Sequence, residues 1–339
     1  MKPTETLLLT RNDVKELLTL GDCIDAVGRA FSLAAQGLIP QAGVLGFPAK
    51  GGGFHMKVAA LSGEPGYFAA KLNGNFFRNR ERFDMPNIQG LIVLCDASNG
   101  RPLAVMDSIE ITILRTGAAT GVAARLLARK GAGVVTICGC GNQGRVSLRA
   151  LQSALRIERL YLWDMDPKAS ANLAAELAPT LPHAIAVVEE PRVATRVSDV
   201  IVTCTPSKTA FLGPEDVRPG AFIAAVGADN EEKSEIAATL MAASTIVTDS
   251  TEQCVKIGDL HHAIEAGLAS AGSVHAELGQ ILAGLRPGRT REDEIFIFDS
   301  TGTALQDVAA AALVYERAVG AGRGTPFAFA AVGNRETVV

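Results

Sequence analysis

The sequence predicts an α/β protein in two parts, a doubly wound parallel sheet and a smaller α+β domain ahead of it. Three observations carry that reading. From residue 133 onward, short apolar runs alternate with helical patterns, as βαβ units on a parallel sheet do. Between Pro40 and Met106, by contrast, strand patterns follow one another across Gly51-Gly52-Gly53, Gly63–Gly66 and Ser98-Asn99-Gly100 turns. At 339 residues the chain is also long enough to build two cores.

Taken in order, Thr6–Leu9 reads as a short strand. Thr10 with Asp13 makes a capping box for a helix through Leu18, and a second helix runs from about Cys23 to Ala35. Strands follow at Val44–Phe47, Phe54–Leu61, Tyr67–Leu72, Ile88–Asp96 and Leu103–Met106. Ser108–Lys130 is a long helix crowded with small residues, among them Gly117, Ala118 and Gly121, and we read it as the connection between the domains. Arg115 and Arg125 rule against a membrane span there. Further strands are expected at Ile185–Val188, Val200–Thr203, Phe222–Val226, Thr245–Thr248 and Ile295–Phe298, with helices at Pro167–Leu177, Glu235–Leu240 and Glu252–Glu265. An Ala-rich last helix, Ala304–Val319, is placed to return to the first domain.

The stretch from Gly133 to Asp164 organises the second part. Val134–Cys138 is rich in β-branched residues and reads as a buried parallel strand. Gly139, Gly141 and Gly144 then stand in G-x-G-x-x-G spacing around Asn142 and Gln143. An amphipathic helix follows, and a second strand, Leu160–Trp163, ends in Asp164. Glycines permit the tight turn and let the backbone approach a pyrophosphate, which the helix N-terminus then holds. An acid at the tip of the second strand accepts ribose hydroxyls and repels a 2′-phosphate. The pattern predicts a Rossmann-type dinucleotide site, with NAD preferred over NADP.

A hydrophobic share of 48% and a charged share of 20% describe a compact chain. A net charge of −4 gives no broad attraction for nucleic acid or anionic membranes, and neither is expected as a partner. Six cysteines, at 23, 95, 138, 140, 204 and 254, form no C-x-x-C and read as small apolar thiols. The N-terminus lacks the apolar core of a signal peptide, so a cytoplasmic location is the default. His261 and His262 are adjacent on a predicted helix, which should turn them apart, and no H-E-x-x-H or cysteine lies nearby. No metal site is expected from them.

Short matches in fixed order carry a resemblance: Ala70-Lys71-Leu72-Asn73, Met85–Gly90, Leu114-Arg115-Thr116, Cys138–Gly144, Val226-Gly227-Ala228-Asp229 and Phe298–Gly302. Together they make the chain resemble the ornithine cyclodeaminase/mu-crystallin family along nearly its whole length. The resemblance implies a substrate-binding and dimerisation domain over residues 1–125 with 304–339, and an NAD-binding Rossmann domain over 126–303. It also implies a homodimer and NAD(P)-dependent chemistry at the α-carbon of an amino or imino acid.

Residue roles follow from the same resemblance. Asp229 matches a carboxylate that meets the substrate's side-chain amine, a task suited to an acid that holds an ammonium and then accepts its proton. An N-cap or a solvated loop acid is the structural alternative. Lys71 and Arg115 match a clamp for the substrate α-carboxylate, which sets Cα–H against the nicotinamide, and Lys71 joins Asp229 as a catalytic candidate. Thr116 is expected at the cofactor phosphates, with Thr205 and Val226 beside the cofactor. Two departures stand out. Pro40-Gln41-Ala42-Gly43-Val44 lacks the arginine usual after the second helix, and Asn87 stands where threonine is usual. His55 and Lys57, alternating on the next strand, are the nearest substitutes for that arginine.

The first functional reading is a cyclodeaminase-like enzyme: oxidation to an imine, ring closure with loss of ammonia, and re-reduction. The second stops halfway, as an NAD(P)H-dependent amino-acid dehydrogenase or imine reductase, and the missing arginine weakens the first relative to it. A third is a cofactor-binding protein without turnover, against which Asp229 counts.

Overall fold

The structure, a computed structural model, describes residues 5–40, 42–179, 181 and 185–329. Gln41, in the segment that lacks the family arginine, lies outside them. The chain divides into two compact units, Met1–Ala30 with Gly37–Arg115 and Ala304–Val339, and Phe31–Gln36 with Thr116–Thr303. The join falls between Arg115 and Thr116, inside a helix, where the sequence reading had placed it after residue 125.

The first unit opens with β1 (Thr6–Leu9) and α1 (Arg11–Leu17). Thr10 and Asp13 cap α1 reciprocally, Asp13 N donating to Thr10 Oγ1 at 3.2 Å and Thr10 N to Asp13 Oδ2 at 2.9 Å. The next helix, α2 (Leu20–Ala35), starts three residues before its expected start at Cys23 because Thr19 Oγ1 accepts the amide of Asp22 at 3.3 Å. Strands β2 (Gly43–Ala49), β3 (Gly52–Leu61) and β4 (Tyr67–Asn75) follow. A short helix the sequence reading missed, α3 (Asn79–Phe83), precedes β5 (Ile88–Asp96), β6 (Pro102–Asp107) and α4 (Ile109–Leu127).

The second unit is built on β7 (Val134–Cys138), α5 (Asn142–Gln152), β8 (Arg159–Trp163), α6 (Pro167–Leu177), β9 (Ile185–Val187), α7 (Pro191–Thr195), β10 (Val200–Thr203), β11 (Phe222–Ala225) and α8 (Ala238–Ala242). It continues with β12 (Thr245–Thr248), α9 (Thr251–Ile257), α10 (Asp259–Glu265), β13 (Val274–Glu277), α11 (Leu278–Leu282) and β14 (Phe296–Asp299). These eight strands form one parallel sheet, ordered β13-β12-β14-β11-β10-β7-β8-β9. Every residue of β10, β11 and β14 is buried, so these strands read as continuous apolar runs without alternation. The chain runs outward from β7 through β8 in one direction and from β10 through β11 in the other. The carboxyl ends of β7 and β10 therefore flank the topological switch point.

Two expected helices differ. The one placed at Glu235–Leu240 begins only at Ala238, because the Glu235 side chain turns inward to hold two loops. The one placed at Glu252–Glu265 breaks at Gly258, where Asp299 Oδ1 and Oδ2 accept the amides of Asp259 and Leu260. A Cβ on Gly258 would stand 2.4 Å from that carboxylate.

The chain then returns to the first unit with α12 (Ala304–Ala321) and β15 (Thr325–Phe327). There the sheet order is β15-β1-β6-β5-β4-β3-β2, and α12 packs against β3, β4 and β5. Alternation along β4 buries Tyr67, Ala69, Lys71 and Asn73 and leaves Phe68 and Leu72 on the open face. Among the described residues, no helix is long and apolar enough to cross a membrane.

Candidate active site

Lys71 sits mid-strand in β4, on the buried face of the first unit's sheet. Its Nζ lies 2.6 Å from Asp307 Oδ2, and Arg115 Nε lies 3.2 Å from Asp307 Oδ1; the side chains are 4%, 8% and 2% exposed. Arg115 Nη1 also donates to Gln306 Oε1 at 2.8 Å. The amide nitrogen of Gln306 is left buried without an acceptor. With Lys71 protonated, two buried cations share one carboxylate, which leaves an excess positive charge beside an unused donor. Burial pulls the Lys71 ammonium down to about 7 against the opposing pull of Asp307, with Arg115 and Lys57 adding to the fall. For Asp307, burial acts to raise the pKa, but Lys71 and Arg115 outweigh it and hold the carboxyl below its usual range.

Strand register adds two more residues to that face. Lys57 on β3 pairs directly with Lys71, and His55 pairs with Asn73. Asn73 Oδ1 accepts from Ser108 Oγ at 2.7 Å, over Gly90. A Cβ on Gly90 would stand 2.1 Å from that oxygen, which accounts for the glycine at the end of Met85–Gly90. Sequence reasoning missed Gln306 and Asp307. The available signal was a Gln-Asp pair interrupting the apolar run of α12, which is buried from Ala304 through Ala312.

In the second unit, each glycine of the turn after β7 has its own reason. Gly139 adopts φ +104°, and a Cβ there would meet the Cys204 carbonyl at 2.7 Å. Gly144 packs with a Cβ position 2.0 Å from the Gly139 carbonyl. Around the Cβ position of Gly141, by contrast, there is open space. Gly141 is the N-cap of α5 and no side chain caps the helix, so its first-turn amides have no side-chain acceptor at that end. Gln143 Oε1 is buried without a donor. Asp164, past the end of β8, accepts from Cys140 N at 2.7 Å and from Asp166 N at 2.9 Å, which fixes the carboxylate beside the turn. Thr116 and Gly117 lie where α4 meets α5; a Cβ on Gly117 would stand 2.6 Å from Val146. These features fit the pyrophosphate and ribose of a dinucleotide.

Thr205 and Val226 follow β10 and β11, and a residue the sequence reading missed ties their loops together. Glu235 accepts from Thr205 N and Oγ1 at 2.6 and 2.7 Å and from Gly227 N at 3.1 Å. Burial and the neighbouring Asp259 push its carboxyl up to about 8. Asp259 in turn accepts the amides of Glu235 and Ile236, and Asp299 those of Asp259 and Leu260. Buried carboxyl groups so chained set the backbone at the carboxyl ends of the strands.

Asp229 lies in the loop after β11, its side chain half exposed. Its Oδ1 is 2.8 Å from Lys233 Nζ and accepts from Asn230 Nδ2 at 3.2 Å. It caps no helix, since the N-cap of α8 is Ala237. His261 and His262 do not diverge as expected. Their rings stand 5.2 Å apart, and both turn toward Glu265.

Fold and glycine turn define a Rossmann-type dinucleotide-binding protein with an added α+β domain. More specifically, the chain belongs to the ornithine cyclodeaminase/mu-crystallin family, whose sequence model matches residues 4–322. It is 35% identical over 325 residues to an alanine dehydrogenase of Archaeoglobus fulgidus, covering 96% of this chain and 99% of that one. Among solved structures it is similar to an archaeal alanine dehydrogenase dimer with bound NAD, with a TM-score of 0.90 at 35% identity over 96% of this chain and 99% of that one. It is also similar to the Δ1-pyrroline-2-carboxylate reductase of Thermococcus litoralis in complex with NADH and L-proline. That match has a TM-score of 0.89 at 32% identity, over 94% and 99% of the two chains.

Proposed function

We propose that this protein is an NAD(H)-dependent oxidoreductase that exchanges a hydride at the Cα of an amino or imino acid. The observation that carries the reading is the charge balance at Lys71, Arg115 and Asp307. With Lys71 protonated, two buried cations stand against one buried carboxylate and call for a further anion, which a substrate α-carboxylate supplies. The unused donor of Gln306 stands with that cluster, and Lys57 and His55 line the same sheet face in place of the absent arginine. A lysine brought near neutrality is also suited to passing a proton to or from a substrate at neutral pH.

The cofactor belongs on the second unit, with its phosphates at Gly141–Gly144 and its ribose at Asp164. Thr116, Thr205 and Val226 are placed beside it in this reading. Bound there, NAD supplies the hydride acceptor and NADH the donor.

The second reading is cyclodeamination, which the presence of Asp229 favours. Against it, the Asp229 carboxylate already holds Lys233 within its own loop, whereas ring closure requires it for the substrate amine. We therefore rank net redox first. The test follows NADH absorbance with purified protein and a panel of amino acids and of cyclic and acyclic imines. Stoichiometric NADH change is expected. Ammonia release without net NADH change would instead establish the cyclodeaminase, and NADH binding without either would leave a binding protein.

We further propose a homodimer through the open face of the first unit's sheet. There Leu45, Met56, Leu72 and Leu91 form one cross-strand row, exposed by 56%, 39%, 45% and 54%, and an apolar face of this kind marks an interface. The cytosol suits a chain whose six cysteines are all unpaired.

A further inference from the structure

We propose that His261, His262 and Glu265 on α10 form a binding site for a divalent cation of the zinc class. Glu265 follows His261 by four residues and His262 by three, so it lies one turn along the helix, angularly between them. That is how two adjacent histidines converge. His261 Nε2 is 3.4 Å from Glu265 Oε1, and His262 Nδ1 is 3.8 Å from Glu265 Oε2. The three ligand atoms all lie within 4.8 Å of one another.

The other ring nitrogens decide what these atoms offer. His261 Nδ1 is 3.2 Å from the Val255 carbonyl and His262 Nε2 is 2.9 Å from the Lys233 carbonyl. A carbonyl only accepts, so both of these nitrogens carry the hydrogen. In the neutral rings, His261 Nε2 and His262 Nδ1 then present lone pairs toward the same carboxylate. A single proton on either ring satisfies one nitrogen and leaves the other lone pair facing Glu265. One cation satisfies all three atoms.

Distances are compatible with this choice. Tetrahedral zinc with bonds of about 2.0–2.1 Å holds its ligand atoms about 3.3 Å apart; the site shows 3.4 Å to Oε1 and 3.8 Å to Oε2, with every ligand atom within 4.8 Å of the others, so the side chains close inward by about an ångström on binding. Metal-bound histidines characteristically donate their second N–H to a carbonyl or carboxylate, which fixes the tautomer, and both rings do so here. The Glu265 side chain is 63% exposed, which leaves the remaining position open to water. Imidazole with carboxylate selects zinc, nickel or copper over calcium or magnesium.

The test uses tag-free full-length protein stripped with a chelator. Zinc is titrated in competition with a chromogenic chelator, and cobalt is titrated while its visible d–d absorption is followed. Wild type should bind one cation per chain, with the absorption of a four-coordinate site. Glu265→Gln and His261→Gln, each checked for folding by circular dichroism, should each weaken binding at least about 10-fold. No saturable binding, or binding unchanged in either folded variant, overturns the proposal.

Discussion

Lys71 Nζ and Asp307 Oδ2 stand 2.6 Å apart, almost wholly buried, although one comes from the fourth strand and the other from the last helix. This pair joins two of the separate chain segments that make up the first unit, at the point where we place the substrate carboxylate. Removing one partner of a buried pair typically costs about 3–5 kcal/mol. Asp307→Asn should therefore lower stability by that order, since Lys71 and Arg115 are then left facing each other. Urea unfolding measures it, and a loss below about 1 kcal/mol would mean that the pair is exposed to solvent in solution.

The depressed Lys71 carries a pH prediction. Below about 7 the ammonium is charged and grips an anion; above, it is neutral and does not. We expect 1/KM for the substrate to fall as pH rises through and beyond about 7, with the break moved upward wherever a bound carboxylate holds the proton on. Lys71→Met should lose this limb, with KM raised and kcat lowered together. An identical pH profile in the variant would remove Lys71 from substrate binding.

Asp164→Ala should weaken NADH binding and narrow the preference for NAD over NADP. The variant loses both the ribose acceptor and the charge that opposes a 2′-phosphate, and Cys140 N loses its partner in the turn. Titration of NADH fluorescence decides the matter. Equal affinity in variant and wild type would exclude Asp164 from the cofactor site.

The two functional readings part at Asp229→Asn. Asparagine keeps the size and one acceptor but releases Lys233 and cannot take a proton. If Asp229 worked on a substrate amine, turnover would fall about 10²–10⁴-fold. Under the redox reading it should stay within a few fold of wild type, measured as the rate of NADH change on the substrate found by the panel.

Placing charge in the open apolar row tests the dimer. Leu72→Asp with Leu91→Asp should shift sedimentation velocity from dimer to monomer, since the two are cross-strand neighbours on one exposed face. A wild-type chain that sediments as a monomer at micromolar concentration would dispose of the proposal outright.

Much of the nucleotide half was legible because it is local. The strand from Val134, Gly139, Gly141, Gly144 and Asp164 fall within one βαβ unit, where turn geometry and helix dipole act over a few ångströms of contiguous chain. Helix ends were less legible wherever a distant side chain set them. Asp299 breaks the expected helix at Gly258, and the inward turn of Glu235 delays α8 to Ala238. Neither effect leaves a mark in periodicity.

By itself, then, the sequence determined the two sheets, the glycine turn and the acid after β8; Lys71 and Arg115 were picked out by their place in the family's short motifs. Each of these depends on neighbours within a strand, a turn or a helix. Only the tertiary structure decided which anion those cations share, because Asp307 reaches Lys71 through the packing of α12 on β4. Tertiary structure likewise decided that Lys57 stands opposite Lys71, through strand register. It also decided that Glu235 ties the loops after β10 and β11, and that two adjacent histidines turn toward one carboxylate. Burial makes these long-range pairings strong, since a charge taken out of water must find its partner wherever the fold supplies one.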